Sequence, residues 1–252
     1  QAIGKKTDVP VLIKITPEMG AFRLIPAAYM YMAAGAVGVT CSHNFFTFAP
    51  PDIYNGGLPD IPFMDKVASV ATQGSWHRFA CYRDVGSVVK YCPGFDVSAC
   101  GGLVIPEQCI EAMMLGARSV QLSSGLMSNG ISYISQVLDF MRNYMEEQGY
   151  NKVDDFIGMA QKHVVEYGEM IEWWHAHPVV AKIDYLKCDK CGKCLDNWCW
   201  ATDWENGKPK VDPKLCSGCS ICVLRCTNGA RSLVPVKVDG KMPEFLPRVS
   251  HK

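Results

Sequence analysis

The apolar positions of the first 165 residues fall into short unbroken runs separated by longer segments of helical period. Residues 9–15 (VPVLIKI) are apolar except for Lys14. Such a run, lacking the in–out alternation of a half-solvated strand, reads as a strand buried on both faces, as in a parallel sheet. Thr16, Pro17 and Glu18 interrupt it, residues 22–34 continue as an Ala- and Met-rich helix, and Gly35 closes that helix. Residues 37–42 (VGVTCS) give a second buried strand, so the first unit is a strand–helix–strand crossover. Residues 95–100 (FDVSAC) and 119–123 (SVQLS) read as the third and fourth strands. Helices are expected over 81–91, over 106–115 with Pro106 in the first turn, over about 131–148, and as a short piece at 154–163. A loop rich in Pro, Gly and aromatics covers 44–58, a length that loops reach mostly for a function, and 61–73 reads as partly helical.

Four strand–helix units amount to half of a (β/α)₈ TIM barrel, with a small open α/β sheet as the alternative. Gln1 is not a start methionine, and the first residues read as a helix tail entering a strand, as if the chain began inside a domain. The expected organisation is the C-terminal half of a barrel over 1–165, a linker over 166–186 and a small α+β domain over 187–252. Trp173, Trp174, His175 and His177 of the linker read as packing residues between domains.

Cysteine organises the last domain. Cys188, Cys191 and Cys194 are followed by Cys199, and Cys216, Cys219 and Cys222 by Cys226. Two C-x-x-C-x-x-C runs, each with a further cysteine, are the ligand pattern of a pair of [4Fe–4S] clusters, in which the fourth cysteine of each run serves the other cluster. One cluster would then be held by Cys188, Cys191, Cys194 and Cys226, the other by Cys216, Cys219, Cys222 and Cys199. Gly192 and Gly218 suit the tight turns between ligands. Zinc sites use pairs of C-x-x-C rather than triples, and a disulfide scaffold belongs to small secreted chains. The first run departs from the usual spacing, with four residues before Cys199 where three are common. The proline that usually follows the last cysteine is also replaced, by Trp200 and Thr227.

Composition narrows the partners. The 252 residues carry no formal net charge and no basic patch, which argues against a nucleic-acid partner. No run approaches the roughly 20 apolar residues of a membrane span, and no signal peptide is visible. Thirteen cysteines point to a reducing cytoplasm and a low-oxygen setting. The five outside the runs, Cys41, Cys81, Cys92, Cys100 and Cys109, read mostly as small buried hydrophobes.

Barrel enzymes build their sites at the C-terminal strand ends, and four features occupy those positions here. Lys14 sits in an apolar strand, where a cation needs a counter-charge or a redox cofactor. Residues 40–44 end the second strand with mainly polar side chains. Gly101 and Gly102 follow the third, and Ser123, Ser124 and Gly125 end the fourth. The last two places are where backbone N–H groups would cradle a phosphate, so the set favours a phosphate-bearing flavin.

On VPVLIKITPE (9–18), GAVGVT (35–40), SACGGL (98–103), LGARSVQLSSGLM (115–127), YMEEQGYNKVDDFIGMA (144–160) and the two cysteine runs, the chain resembles the C-terminal half of the flavin subunit of the dihydropyrimidine dehydrogenase family, which is related to class 1 dihydroorotate dehydrogenases. The resemblance implies an FMN-binding TIM barrel followed by a two-cluster, ferredoxin-like domain. It implies FMN contacts from Lys14 at the flavin N1/O2 region, from Thr40 and Ser42, from Gly74, from Gly101 and Gly102, and from Ser123 and Ser124. Substrate would meet His43 and Asn44, at a place where pyrimidine-reducing members carry a Thr-Asn pair and this chain reads Ser42-His43. A histidine offers a different donor and acceptor pattern from an amide, so a different cyclic substrate is expected. The family's acid, a cysteine, would lie upstream of residue 1.

The resulting expectation is an oxidoreductase that reduces or oxidises a C=C bond of a cyclic substrate at FMN, with electrons relayed through two [4Fe–4S] clusters. The chain has no G-x-G-x-x-G after a strand, so its electrons come from a partner, an FAD/NAD(P)H-binding or other electron-donor subunit, in a hetero-oligomer or homodimer. The competing expectation is a non-catalytic electron-transfer subunit with a degenerate barrel as scaffold.

Overall fold

Along the first unit, which ends at Val164, the elements run β1 (Leu12–Lys14), α1 (Ala21–Ala33), β2 (Gly38–Cys41), β3 (Phe45–Phe48), β4 (Ser69–Thr72), α2 (Arg78–Tyr91), β5 (Asp96–Cys100), α3 (Pro106–Met114), β6 (Ser119–Gln121), α4 (Ser124–Asn129) and α5 (Tyr133–Gln148). They come from a computed structural model that describes residues 8–42, 44–59, 66–195 and 199–236. The four apolar runs form one sheet in the order β1-β2-β5-β6, parallel throughout. The register sets Lys14 beside Thr40 and Thr40 beside Ser98, with Cys100 beside Gln121. The C-terminal ends of four consecutive strands therefore finish at one level, and that level carries the polar residues.

Local chemistry explains the element ends. Pro106 opens α3, and the Gln108 side chain folds back so that its oxygen accepts from the Val104 N–H at 2.7 Å and the Ile105 N–H at 3.3 Å. Helix α5 stops at Gly149, whose φ of 73° is left-handed. The core lies between the sheet and the first two helices. It is made by Val39 and Cys41 of β2, Val97 and Ala99 of β5, Leu24 and Ala28 of α1, and Cys81, Val85 and Val88 of α2. A second group gathers Ile110, Met113 and Phe156. Cys41, Cys81, Cys92 and Cys109 are all wholly buried here, as small hydrophobes. Burial pushes the thiol of Cys81 up to about 12 and that of Cys109 to about 11, so none of this set offers a thiolate near neutrality.

Several expectations require correction. The run 9–15 gives a strand of three residues, not a doubly buried one: Val9 and Leu12 are exposed, and only Ile15 reaches the core. The cause is topological, since β1 ends the sheet and pairs with β2 alone. Lys14 is exposed as well, so it needs no buried counter-charge. The segment 61–73, expected to be partly helical, contributes β4. That strand pairs antiparallel with β3, which lies inside the stretch expected to be loop. Both have the alternating exposure of a two-stranded ribbon, a period that four residues barely reveal. Helix α2 begins three residues earlier than expected, after a 3₁₀ turn over Ser75–His77. The short helix expected at 154–163 is instead two 3₁₀ turns, Val153–Asp155 and Gln161–His163.

The second unit begins at Val165 and holds α6 (Tyr167–Ala176), β7 (Val179–Ile183), β8 (Thr202–Glu205), β9 (Lys208–Val211), α7 (Ile221–Leu224) and β10 (Arg231–Pro235). Strand β7 pairs antiparallel with β10 and β8 with β9. The stretch 166–186, read above as linker, thus supplies α6 and β7. The Trp173 ring stacks on His177 with centroids 4.6 Å apart. Among the described residues, no helix is long and apolar enough to cross a membrane.

Candidate active-site cleft and cysteine cavity

A cleft opens at the C-terminal ends of the parallel strands. Lys14, Ser42, Asn44, Gly101, Gly102, Ser123 and Ser124 line it, so seven of the candidate flavin and substrate residues meet in one depression. Thr40 stays beneath, buried, where the Gln121 amide donates to its Oγ1 at 3.4 Å and to Ser98 Oγ at 3.0 Å. Ser98 also accepts from the Ser119 hydroxyl at 2.8 Å, completing a polar ladder across β2, β5 and β6. His43 lies outside the described residues.

The cleft floor is held by close backbone approach. Gly101 and Gly102 have φ of 141° and 72°, conformations that favour glycine. A Cβ on Gly102 would overlap the Arg78 amide nitrogen and come within 2.9 Å of the Gly74 carbonyl. A Cβ on Gly101 would stand 3.0 Å from the His77 ring. The glycine pair therefore seats the turn that opens α2 against the end of β5, and Gly74, packed against Gly102, is not among the residues that line the cleft. Ser42 Oγ lies 2.8 Å from His77 Nε2, and the Ser42 N–H donates to the Cys100 carbonyl. Phe45 and Trp76 pack around the His77 ring, with centroids 5.0 Å and 5.6 Å away.

Three features bear on what the cleft can hold. Asn44 is buried and its Oδ1 has no hydrogen-bond partner, an acceptor awaiting a donor. Lys14 brings a cation; burial pushes the Cys100 thiol up, against the smaller opposing pull of that charge. The Ser123 hydroxyl donates to Gln73 Oε1 at 3.2 Å and stands beside Ser124. A cation, serine hydroxyls and a cradle that a Cβ would fill form a set that fits a phosphate-bearing flavin.

The second unit has a separate cavity lined by Cys188, Cys191, Cys194 and Cys226 with Arg231. These are the four cysteines expected to share one cluster. Arg231 donates from Nη2 to Cys194 Sγ at 2.9 Å, while its buried Nη1 has no partner. The Ala230 N–H donates to Cys226 Sγ at 3.2 Å, and the Ala181 N–H to Cys216 Sγ at 3.3 Å. Burial pushes the Cys222 thiol up, Arg231 opposes, and the nearby Cys216, Cys199 and Cys219 add to the rise. The second expected set therefore also lies close together. Among the described residues, no group of three or more His, Cys, Asp or Glu side chains is arranged to hold a metal ion. A buried guanidinium whose Nη1 has no hydrogen-bond partner among the described residues, in a cavity lined by four cysteines and the exposed Asp189, nevertheless fits an anionic cluster held by thiolates.

No family model matches the chain. Curated proteins do. The chain is 22% identical over 246 residues to the NAD-dependent dihydropyrimidine dehydrogenase subunit PreA of Escherichia coli (strain K12), covering 94% of this chain and 58% of that protein. It is 32% identical over 171 residues to the catalytic subunit of dihydroorotate dehydrogenase B (NAD(+)) of Pyrococcus furiosus, covering 64% of this chain and 51% of that one. It is 26% identical over 157 residues to the dihydroorotate dehydrogenase (quinone) of Chelativorans sp. (strain BNC1), with 61% and 40% covered.

This chain is similar to dihydropyrimidine and dihydroorotate dehydrogenases. It spans little more than half the length of the first relatives it matches. A match over 94% of the chain must take in the cysteine-rich unit as well as the sheet.

Sequence reasoning did not single out Gln73, Cys100, Leu103 or Gln121 as residues of the cleft. Gln121 and Cys100 were findable, since both end a recognised strand beside residues that were singled out. Gln73 depends on where the turn before α2 folds, which no local pattern announces.

Proposed function

We propose that this chain is the flavin- and iron–sulfur-bearing part of an oxidoreductase that acts on a C–C bond of a cyclic substrate, as dihydropyrimidine and dihydroorotate dehydrogenases do. The observation that carries it is the meeting of Lys14, Ser42, Asn44, Gly101, Gly102, Ser123 and Ser124 in one cleft at the ends of four parallel strands. The sheet is then the second half of a (β/α)₈ barrel, and the second unit a ferredoxin-like domain.

When bound, FMN supplies hydride exchange with carbon, and a pair of [4Fe–4S] clusters supplies one-electron transfer. Lys14 places a cation that favours the anionic reduced flavin. Gly101 and Gly102 leave room for close approach, and the Ser123 and Ser124 hydroxyls are positioned for a phosphate. Ser42 is oriented by His77 so that its hydroxyl faces the cleft in a fixed direction. Asn44 Oδ1 accepts from an N–H of the substrate, which favours a cyclic amide or imide over a hydrocarbon ring. Cys188, Cys191, Cys194 and Cys226 hold one cluster, and Cys216, Cys219, Cys222 and Cys199 the other. Electrons reach them from an FAD/NAD(P)H-binding or other electron-donor subunit.

The test is spectroscopic. Anaerobically purified protein, reduced by stoichiometric dithionite, should recover its oxidised flavin absorbance on addition of a pyrimidine or another cyclic enone. A reduced spectrum unmoved by all of them would contradict the substrate class. The second reading is an electron-transfer subunit with the sheet as scaffold. That reading expects iron and sulfide without FMN.

A further inference from the structure

Among the described residues, Arg231 is the buried charged side chain of the cysteine cavity, whose lining also holds the exposed Asp189, Lys190 and Lys193. It is 5% exposed, it opens β10 opposite Ile183, and the residue before it is tied through its N–H to Cys226 Sγ. The backbone therefore delivers a guanidinium into a cavity walled by Cys188, Cys191, Cys194 and Cys226. One arm, Nη2, donates to Cys194 Sγ at 2.9 Å, and the other, Nη1, is buried without a hydrogen-bond partner. A buried cation with an empty arm is costly to fold unless an anion faces it. Neutral thiols do not provide that anion, whereas thiolates bound to a cluster do.

We propose that Arg231 is a fixed counter-ion that raises the reduction potential of the cluster held by Cys188, Cys191, Cys194 and Cys226 above that of the cluster held by Cys199, Cys216, Cys219 and Cys222. The inference rests on the cluster reading given above and adds an order to the relay. Reduction of a cluster adds one electron and one negative charge, and no bond or proton need change. A nearby cation stabilises that added charge, and a hydrogen bond to a ligating sulfur acts in the same direction. Arg231 donates directly to a sulfur of the first set, Cys194 Sγ, and lines the cavity of that set. The first cluster is consequently the one that fills first and rests reduced.

The experiment compares wild-type protein with Arg231→Met, which keeps bulk without charge, and Arg231→Lys, which keeps charge without the planar fork. Iron and sulfide are measured first. Each cluster is then titrated against potential by electron paramagnetic resonance, the first being the signal altered in Cys188→Ser. Arg231→Met should make reduction of the first cluster at least tenfold less favourable, a fall of about 59 mV for a one-electron couple. The second cluster should move less, and Arg231→Lys should leave the first nearer its wild-type value. Equal shifts in both clusters, or none in either, would overturn the assignment while leaving the clusters in place. If Arg231→Met holds no iron, Arg231→Lys decides: iron retained there supports the counter-ion, and iron lost equally overturns it. Absence of iron and sulfide from the wild-type protein would overturn the cluster reading itself.

Discussion

Ser42 Oγ and His77 Nε2 stand 2.8 Å apart, and each residue is 1% exposed, so the cleft floor is built on a buried pair from two elements 35 residues apart in sequence. Replacing His77 by Ala would strip Ser42 of its partner and open space beside Gly101. Leaving one buried polar group unsatisfied costs about 1–3 kcal/mol. His77→Ala should therefore lower the denaturation midpoint, while His77→Gln, which can still reach Ser42, should lose less. Equal midpoints for the two variants would show that the hydrogen bond contributes nothing.

Gly102 tests the cradle. Gly102→Ala meets both a left-handed φ of 72° and overlap with the Arg78 backbone, whereas Gly130→Ala has φ of 80° and open space around it. The conformational part alone costs about 1–2 kcal/mol. Gly130→Ala should show that cost only. Gly102→Ala should exceed it, and on the proposed function should also weaken FMN retention. Similar losses from both in chemical denaturation would refute the close approach.

Asp84 gives a pH dependence. It is 1% exposed, Arg83 Nη2 lies 2.6 Å from its Oδ1, and its Oδ2 has no partner. Burial pushes its carboxyl above the usual aspartate range, against the opposing pull of Arg83. A carboxyl raised in the folded state holds its proton more tightly there than in the unfolded chain. Its stabilising share is full below the unfolded value near 4 and falls as pH rises through the folded value. Asp84→Asn mimics the protonated form at every pH. Its stability relative to wild type should therefore be more favourable at pH 7 than at pH 4, measured by denaturant unfolding at both. A relative stability independent of pH would contradict the raised value.

Much of this was legible in the sequence, for identifiable reasons. The two inner parallel strands showed because doubly covered strands lose their polar alternation, as in VGVTC and DVSAC. The cysteine sets were legible as repeated C-x-x-C spacings, and Cys188, Cys191, Cys194 and Cys226 line one cavity. Lys14 was misjudged as buried because an apolar run does not reveal that its strand ends a sheet. Strands β3 and β4 were hidden because a four-residue ribbon rich in aromatics has the composition of a loop. His77 and Arg231 act through tertiary placement alone: one is set by the turn before α2, the other by the pairing of β10 with β7. Neither placement leaves a local signature.

The cysteine assignment separates variants cleanly. Cys191→Ser should lose roughly half of the iron, one of two clusters. Cys92→Ser, in the core of the other unit and away from both cysteine sets, should keep all of it. Equal iron in the two variants would contradict the ligand assignment.

The central claim is that one polypeptide brings together a flavin cleft and two clusters, and cofactor content measures it most directly. Protein purified without oxygen should carry about eight irons, equal sulfide and about one FMN per chain. Iron and sulfide without flavin would contradict the active-site reading and leave an electron carrier. Zinc in place of iron would contradict the relay altogether.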